Sequence, residues 1–277
     1  MKVLDLFSGI GGFALGLEAA GFETVAFCEI DPYAQKVLKR KWPGVPIYED
    51  VRRITADRLV SDGIGVDVIT GGFPCQDIST AGTKSGLDGD RSGLWSECAR
   101  LLGDIRPRYA IFENVTNLLT GDRGDWFKRV LWDISSVGYD AEWHCIPASA
   151  IGAVHHRDRV WILAYPNERG LEKHGYSEPD ESFINGEAVS NPSSEGLQGG
   201  EEAGNNGEDR QEPRNQLITR LSGIQGAVWE VEPNVGRVAN GVPARTHRLR
   251  CLGNAVVPQI PELIGRQIME AERESQA

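Results

Sequence analysis

Apolar and polar positions alternate in blocks from Met1 to Pro166. Val3-Leu4-Asp5-Leu6-Phe7 is a short apolar run that ends in a glycine turn, and Ala14 to Ala20 then reads as helix. Thr24 to Cys28 predicts a second strand, followed by a helix from about Tyr33 to Lys41 and a third short strand before Asp50. Further strands fit 66–70, 109–113, 142–147 and 159–164, with helices between them, notably 94–105 and 126–137. Strands alternating with helices predict an α/β, Rossmann-like unit with a mainly parallel, doubly wound sheet.

The pattern breaks at Pro166. From Asn167 to about Arg214 the chain is rich in Gly, Asn, Ser and Glu, the composition of a flexible loop or a solvated insertion. A last helix is expected from Pro258 to about Arg273. The expected division is therefore 1–166, 167–250 and 251–277.

Charge alters this picture in one respect. The net charge of −11 looks unsuited to a polyanion partner. Its acidic excess concentrates in 167–213, where 12 acids meet 3 bases, while 214–277 holds 6 acids and 8 bases. Five scattered cysteines, none in CxxC spacing, fit neither a disulfide framework nor a zinc site, and no metal is expected. No apolar run approaches the roughly 20 residues that span a bilayer, and no leader pattern opens the chain, so the expected location is cytoplasmic.

Two loops carry candidate chemistry. In Asp5-Leu6-Phe7-Ser8-Gly9-Ile10-Gly11-Gly12 the glycines permit a tight turn and a close ligand approach. Glu29 follows Gly9 by the spacing at which an acid accepts hydrogen bonds from a ribose diol. Gly9-x-Gly11-x-x-Ala14 also satisfies a loose dinucleotide fingerprint, so NAD or FAD competes with another adenosyl ligand, and a purely structural turn stays open. Asp50 could reach an adenine amino group or cap a helix. The second loop, Gly71-Gly72-Phe73-Pro74-Cys75-Gln76-Asp77-Ile78-Ser79, sets a thiol at the carboxyl end of a strand, where open α/β sheets place ligands. Its thiolate would be a strong nucleophile.

DLFSGIGGF at 5–13, GGFPCQDIS at 71–79, ENV at 113–115, HHRDR at 155–159 and LGNAVVP at 252–258 occur in the order seen in DNA cytosine-5 methyltransferases. The chain resembles the short bacterial and phage members of that family. The resemblance implies a methyl transfer from S-adenosylmethionine, leaving S-adenosylhomocysteine, to C5 of a cytosine flipped out of duplex DNA. It implies that Cys75 adds to C6, that Glu113 handles a proton at N3, and that Arg159 holds O2 while Arg157 orients the site. It implies a donor pocket of Phe7, Gly9, Gly11, Gly12, Glu29, Ile30, Asp50, Val51, Pro74, Leu94, Asn254, Ala255 and Val256, the last three returning from the far end of the chain so that the last helix packs against the first strand rather than forming its own domain. DNA contacts would come from Gln76, Ser79, Arg91, Arg237, Arg245 and Arg248. A restriction endonuclease is a conceivable companion, and a monomer is expected.

The chain departs from the family between HHRDR and LGNAVVP. That stretch usually carries target recognition; here it is short, acidic and aromatic-poor, so only a small, irregular recognition lobe is expected. The usual Arg-x-Leu-Thr-x-x-Glu stretch is absent, and His155-His156 stand where glutamine and lysine are common. Three other readings stay open: an RNA cytosine-5 methyltransferase, a catalytically inactive DNA-binding homologue, and a nicotinamide-dependent dehydrogenase.

Overall fold

The computed structural model describes residues 1–74, 93–153, 157–167 and 251–275. Their centre is one sheet of seven strands. In chain order these are β1 (Lys2–Leu6), β2 (Glu23–Cys28), β3 (Ile47–Tyr48), β4 (Val68–Gly72), β5 (Tyr109–Val115), β6 (Tyr139–Pro147) and β7 (Asp158–Pro166). Across the sheet the order is β3-β2-β1-β4-β5-β7-β6. The first five strands run parallel, as the alternating pattern predicts. β7 is inserted antiparallel between β5 and β6.

Helices α1 (Gly12–Ala19), α2 (Pro32–Lys41), α3 (Ala56–Ser61), α4 (Gly93–Ile105), α5 (Asn117–Thr120), α6 (Asp125–Ser136) and α7 (Gln259–Glu274) connect or cover these strands. β1 is buried from Val3 to Leu6, because a strand covered on both faces must be apolar almost throughout. One face packs Leu4, Leu6, Ile69 and Phe112 with α4 and α6 residues such as Leu101, Leu102, Val130 and Ile134. The other packs Val3, Val68, Ile111 and Leu163 with Phe13 and Leu17 of α1 and Ile260, Ile264 and Ile268 of α7.

The last helix therefore returns to the sheet as expected, but its close neighbour is α1 rather than β1. Glycines set that distance. A Cβ on Gly16 would lie 2.1 Å from the Pro258 carbonyl oxygen, and one on Gly12 2.6 Å from that of Val256. Only a residue without a side chain lets the two backbones approach so closely.

The sheet topology also positions the site. In a parallel sheet the carboxyl ends of β1, β2, β4 and β5 share one edge. β7 runs the other way, so its beginning falls on that same edge, with Arg159 opposite Val115 and Trp161 opposite Glu113. Two stretches distant in the chain thus meet at one rim.

Candidate active site

A cavity of about 840 Å³ opens along this rim. One end is built by the strands β1, β2 and β3. Phe7, directly after β1, takes φ 52°, a left-handed conformation unusual for a bulky residue and a mark of a constrained site. Gly9 follows at φ 54° and Gly11 at φ 85°. The turn is closed by Gly11 N–H donating to the Ser8 carbonyl at 2.8 Å and by the Ser8 hydroxyl, which donates to the Asp5 carbonyl at 2.5 Å.

Glu29 stands at the centre of this end. One carboxylate oxygen accepts from the Gly9 N–H at 2.7 Å and the other from the Asp31 N–H at 2.7 Å. Its own carbonyl accepts from the Gln35 side chain at 2.7 Å. Asp31 caps α2 by accepting from the N–H groups of Tyr33 and Ala34, and Pro32 occupies the first helical position, where its missing N–H costs nothing. Burial pushes the Glu29 carboxyl above its ordinary value, and the two backbone donors pull it back. Asp50 accepts from the Arg52 N–H at 3.0 Å and pairs with its guanidinium at 3.1 Å, which holds its carboxyl below the usual range. Phe7, Ile30, Val51 and Leu94 add apolar surface, and Asp31 and Glu49 add further acid.

The other end is built by β4, β5 and β7. Glu113 is 8% exposed and its Oε1 lies 2.9 Å from Arg159 Nε. A Cβ on Gly72 would sit 3.3 Å from its Oε2, so the glycine leaves the carboxylate its room. Burial raises the Glu113 carboxyl, opposed by Arg159 and then Arg157. The Arg157 guanidinium is lowered by its own burial, by repulsion from Arg159, and less so because Glu113 offsets both.

Pro74 borders this end, and its approach is fixed from behind. Asn114 donates to the Phe73 carbonyl at 3.0 Å, while its Oδ1 accepts from the Val115 N–H at 2.8 Å. The Phe73 ring packs 4.9 Å from Trp95, itself 5.2 Å from Phe112 and hydrogen-bonded to Asp133 at 2.9 Å. Such ring pairs contribute about 0.5–1.5 kcal/mol each beyond burial. The chain is therefore held at Phe73, two residues before Cys75.

Of the residues expected from sequence, Phe7, Gly9, Glu29, Ile30, Asp50, Val51, Pro74, Leu94, Glu113, Arg157, Arg159 and Asn254 line this one cavity. Gly11, Gly12, Ala255 and Val256 do not. Gly11 lies against the Trp42 ring, 2.4 Å from where its Cβ would stand, and Gly12 against Val256. Cys75, Gln76, Ser79, Arg91, Arg237, Arg245 and Arg248 lie outside the described residues, as do His155, His156 and nearly all of the expected recognition lobe. Among the described residues no cluster of metal-ligating side chains occurs, and no helix is long and apolar enough to cross a membrane. Asn114, within the ENV motif, has no role in the sequence-based expectations; its partner is the Phe73 carbonyl, 41 residues away in the chain.

A family profile described as C-5 cytosine-specific DNA methylase matches residues 1–232. The chain belongs to this family. Among curated relatives, the type II methyltransferase M2.BsuMI of Bacillus subtilis (strain 168) is 39% identical over 187 residues, covering 65% of this chain and 46% of that protein. M.HgiBI of Herpetosiphon aurantiacus is 35% identical over 179 residues, covering 65% and 40%. A solved E. coli structure, assigned as a DNA modification methyltransferase encoded within a prophage, superposes with a TM-score of 0.52 at 26% identity, covering 63% of this chain and 49% of that one. This member of the cytosine-specific methylase family thus matches less than half the length of those relatives.

Proposed function

We propose that the protein is a DNA (cytosine-5)-methyltransferase that uses S-adenosylmethionine. What carries this reading is the meeting, in one cavity, of an acid-lined adenosyl end with a buried Glu113–Arg159 pair at the strand edge that leads into Pro74-Cys75. The residues present fit the donor. Glu29 and Asp50 offer carboxylate acceptors for a ribose diol and an adenine amino group, and Phe7, Ile30, Val51 and Leu94 offer flat apolar contact. The surrounding acids also suit a cationic sulfonium.

Bound S-adenosylmethionine would supply an electrophilic methyl group. The protein's own groups would do the rest. The Cys75 thiolate adds to cytosine C6, which makes C5 nucleophilic. Glu113, its carboxyl raised by burial, holds a proton against N3 as that ring takes up negative charge. Arg159, already anchored through Nε to Glu113, presents its remaining donors toward O2. Once C5 has taken up that methyl group, a base removes the C5 proton, and elimination expels the Cys75 thiolate and restores the C5–C6 double bond. A stacked cytosine is out of reach, so the base must be flipped into the cavity. The segment between 167 and 250 would read the flanking sequence.

Incubation with methyl-labelled donor and duplex DNA should place label on cytosine C5. Cys75→Ser should abolish it, and DNA containing 5-fluorocytosine should trap a covalent complex. Label on an adenine, on the cytosine amino group, or on transfer RNA alone would overturn the reading.

A further inference from the structure

The wall that carries Asp50 and Val51 is short of local support. It follows a two-residue strand and is a single 3-10 turn, Val51–Arg53. Helices this short hold few internal hydrogen bonds, so their position depends on outside anchors. One anchor comes from α4. The Arg100 guanidinium donates through Nη2 to the Ile54 carbonyl at 2.9 Å and to the Val51 carbonyl at 3.4 Å. It is aimed before it arrives: Glu97 takes Nε at 2.8 Å and Asp104 takes Nη1 at 3.0 Å, so carboxylates one turn below and one turn above clamp the fork. Val51 and Ile54 themselves are buried, which leaves their carbonyls little water to turn to.

The same helix begins at the cavity. Leu94 lines it, six residues before Arg100, or about 9 Å along the axis. α4 also follows Cys75 in the chain, beginning 18 residues after it. A rigid rod thus ties the opening of the nucleophile segment's following helix to the wall that bears Asp50.

We propose that Arg100 is a positioning residue for donor binding: it holds the Asp50–Val51 wall against α4 and so sets the width of the adenosyl end. This inference rests on the cavity binding S-adenosylmethionine, but its structural half does not. Arg100 does not line the cavity, so its loss should act on affinity and not on chemistry.

The test is Arg100→Ala beside Arg100→Lys in the full chain. Amide hydrogen exchange without ligand should show residues 47–55 losing protection about tenfold in R100A, with the rest of the sheet unchanged and R100K intermediate. Titration with S-adenosylhomocysteine should show a dissociation constant about tenfold higher in R100A, partly rescued in R100K, while kcat at saturating donor stays within about twofold. Unchanged exchange at 47–55 overturns the anchoring. Changed exchange with unchanged affinity overturns the link to the donor, and loss of protection throughout the sheet reduces Arg100 to a general stabiliser, which overturns it too. If the unmutated protein fails to bind S-adenosylhomocysteine, the reading of the cavity fails, and exchange alone decides whether Arg100 anchors the turn.

Discussion

The two ends of the cavity hold a glutamate in opposite ways, half-buried at one and buried at the other. At the β1–β2 end, Glu29 is gripped by neutral backbone donors from Gly9 and Asp31, with Asp31, Glu49 and Asp50 nearby. At the β5–β7 end, Glu113 is gripped by a charge, Arg159, with Arg157 adding a second. The first arrangement leaves a net negative wall with fixed acceptors, suited to binding a cation and its hydroxyls without exchanging protons. The second sets an acid whose burial and whose cationic neighbours oppose each other, so that its proton is poised to move. On the function proposed above, identical side chains on the same edge of the sheet would be divided between holding and reacting by what surrounds the carboxylate.

Replacing each glutamate should separate the two roles. Glu113→Gln keeps a side chain of the same shape but one that cannot give up a proton. Methyl transfer in a single turnover should fall by about 10²-fold or more, the usual contribution of a placed general acid. S-adenosylhomocysteine binding should stay within about twofold. Because burial raises this carboxyl, the unmutated rate should decline toward alkaline pH as the proton leaves, and that decline should vanish in the Gln variant. A Gln variant as fast as the parent would remove Glu113 from the chemistry.

Glu29→Ala should give the converse result. It deletes acceptors and strands the Gly9 and Asp31 N–H groups, and charged hydrogen bonds contribute about 1.5–3 kcal/mol. Calorimetric titration should show affinity for the donor product about tenfold to a hundredfold weaker, with the rate at saturating donor changed far less. A variant that binds normally but turns over slowly would invert the comparison.

The sequence made the first end legible more fully than the second. Glycines at 9, 11 and 12, with the acid Glu29 at the end of the next strand, announce a strand–turn–helix with a ligand above it. They do not say from which side the close approach comes. Gly9 faces the cavity, whereas Gly11 receives the Trp42 ring and Gly12 the chain at Val256, neither of them a neighbour in sequence. The left-handed Phe7 was equally hidden, since nothing local requires a phenylalanine there. At the second end the strands were predicted from their apolar runs, but the insertion of β7 between β5 and β6 is a sheet-level choice. That choice, not any motif, brings Arg159 to Glu113. Asn114 and Arg100 escaped for the same reason: their partners are backbone carbonyls far off in the chain, and carbonyls leave no trace in a residue pattern.

The glycine contacts offer a smaller test that concerns the support beneath the first end. Gly16→Ala would place a methyl 2.1 Å from the Pro258 oxygen, and backbone there cannot swing aside as a side chain could. Overpacking of this kind costs about 1–3 kcal/mol, so thermal unfolding should shift down by several degrees. Gly9→Ala meets no atom within 4 Å and is penalised only by its φ of 54°. It should cost less stability yet more donor affinity. Equal effects of the two would mean that the glycine loop is a packing device throughout.

The smallest expected effect lies beneath both ends. Asp5, on β1, is fully buried; one oxygen accepts from the Thr70 hydroxyl at 2.7 Å and the other has no hydrogen-bond partner. Burial, with Glu29 nearby and the Thr70 bond opposing, pushes its carboxyl from 3.8 up to about 7. The folded chain therefore keeps a proton that the unfolded chain releases above pH 4. Stability contributed by this group is whole below about pH 4, falls as pH rises toward 7, and is level beyond. Asp5→Asn removes the titration and keeps an acceptor for Thr70. Its amide nitrogen would then occupy the place of the unpartnered oxygen, which limits the gain to about 1 kcal/mol. Denaturant unfolding at pH 5 and pH 8 should show the variant gaining on the parent only as pH rises. A gain that is equal at both values would mean that Asp5 does not change its charge between them, and that burial does not carry its carboxyl into that range.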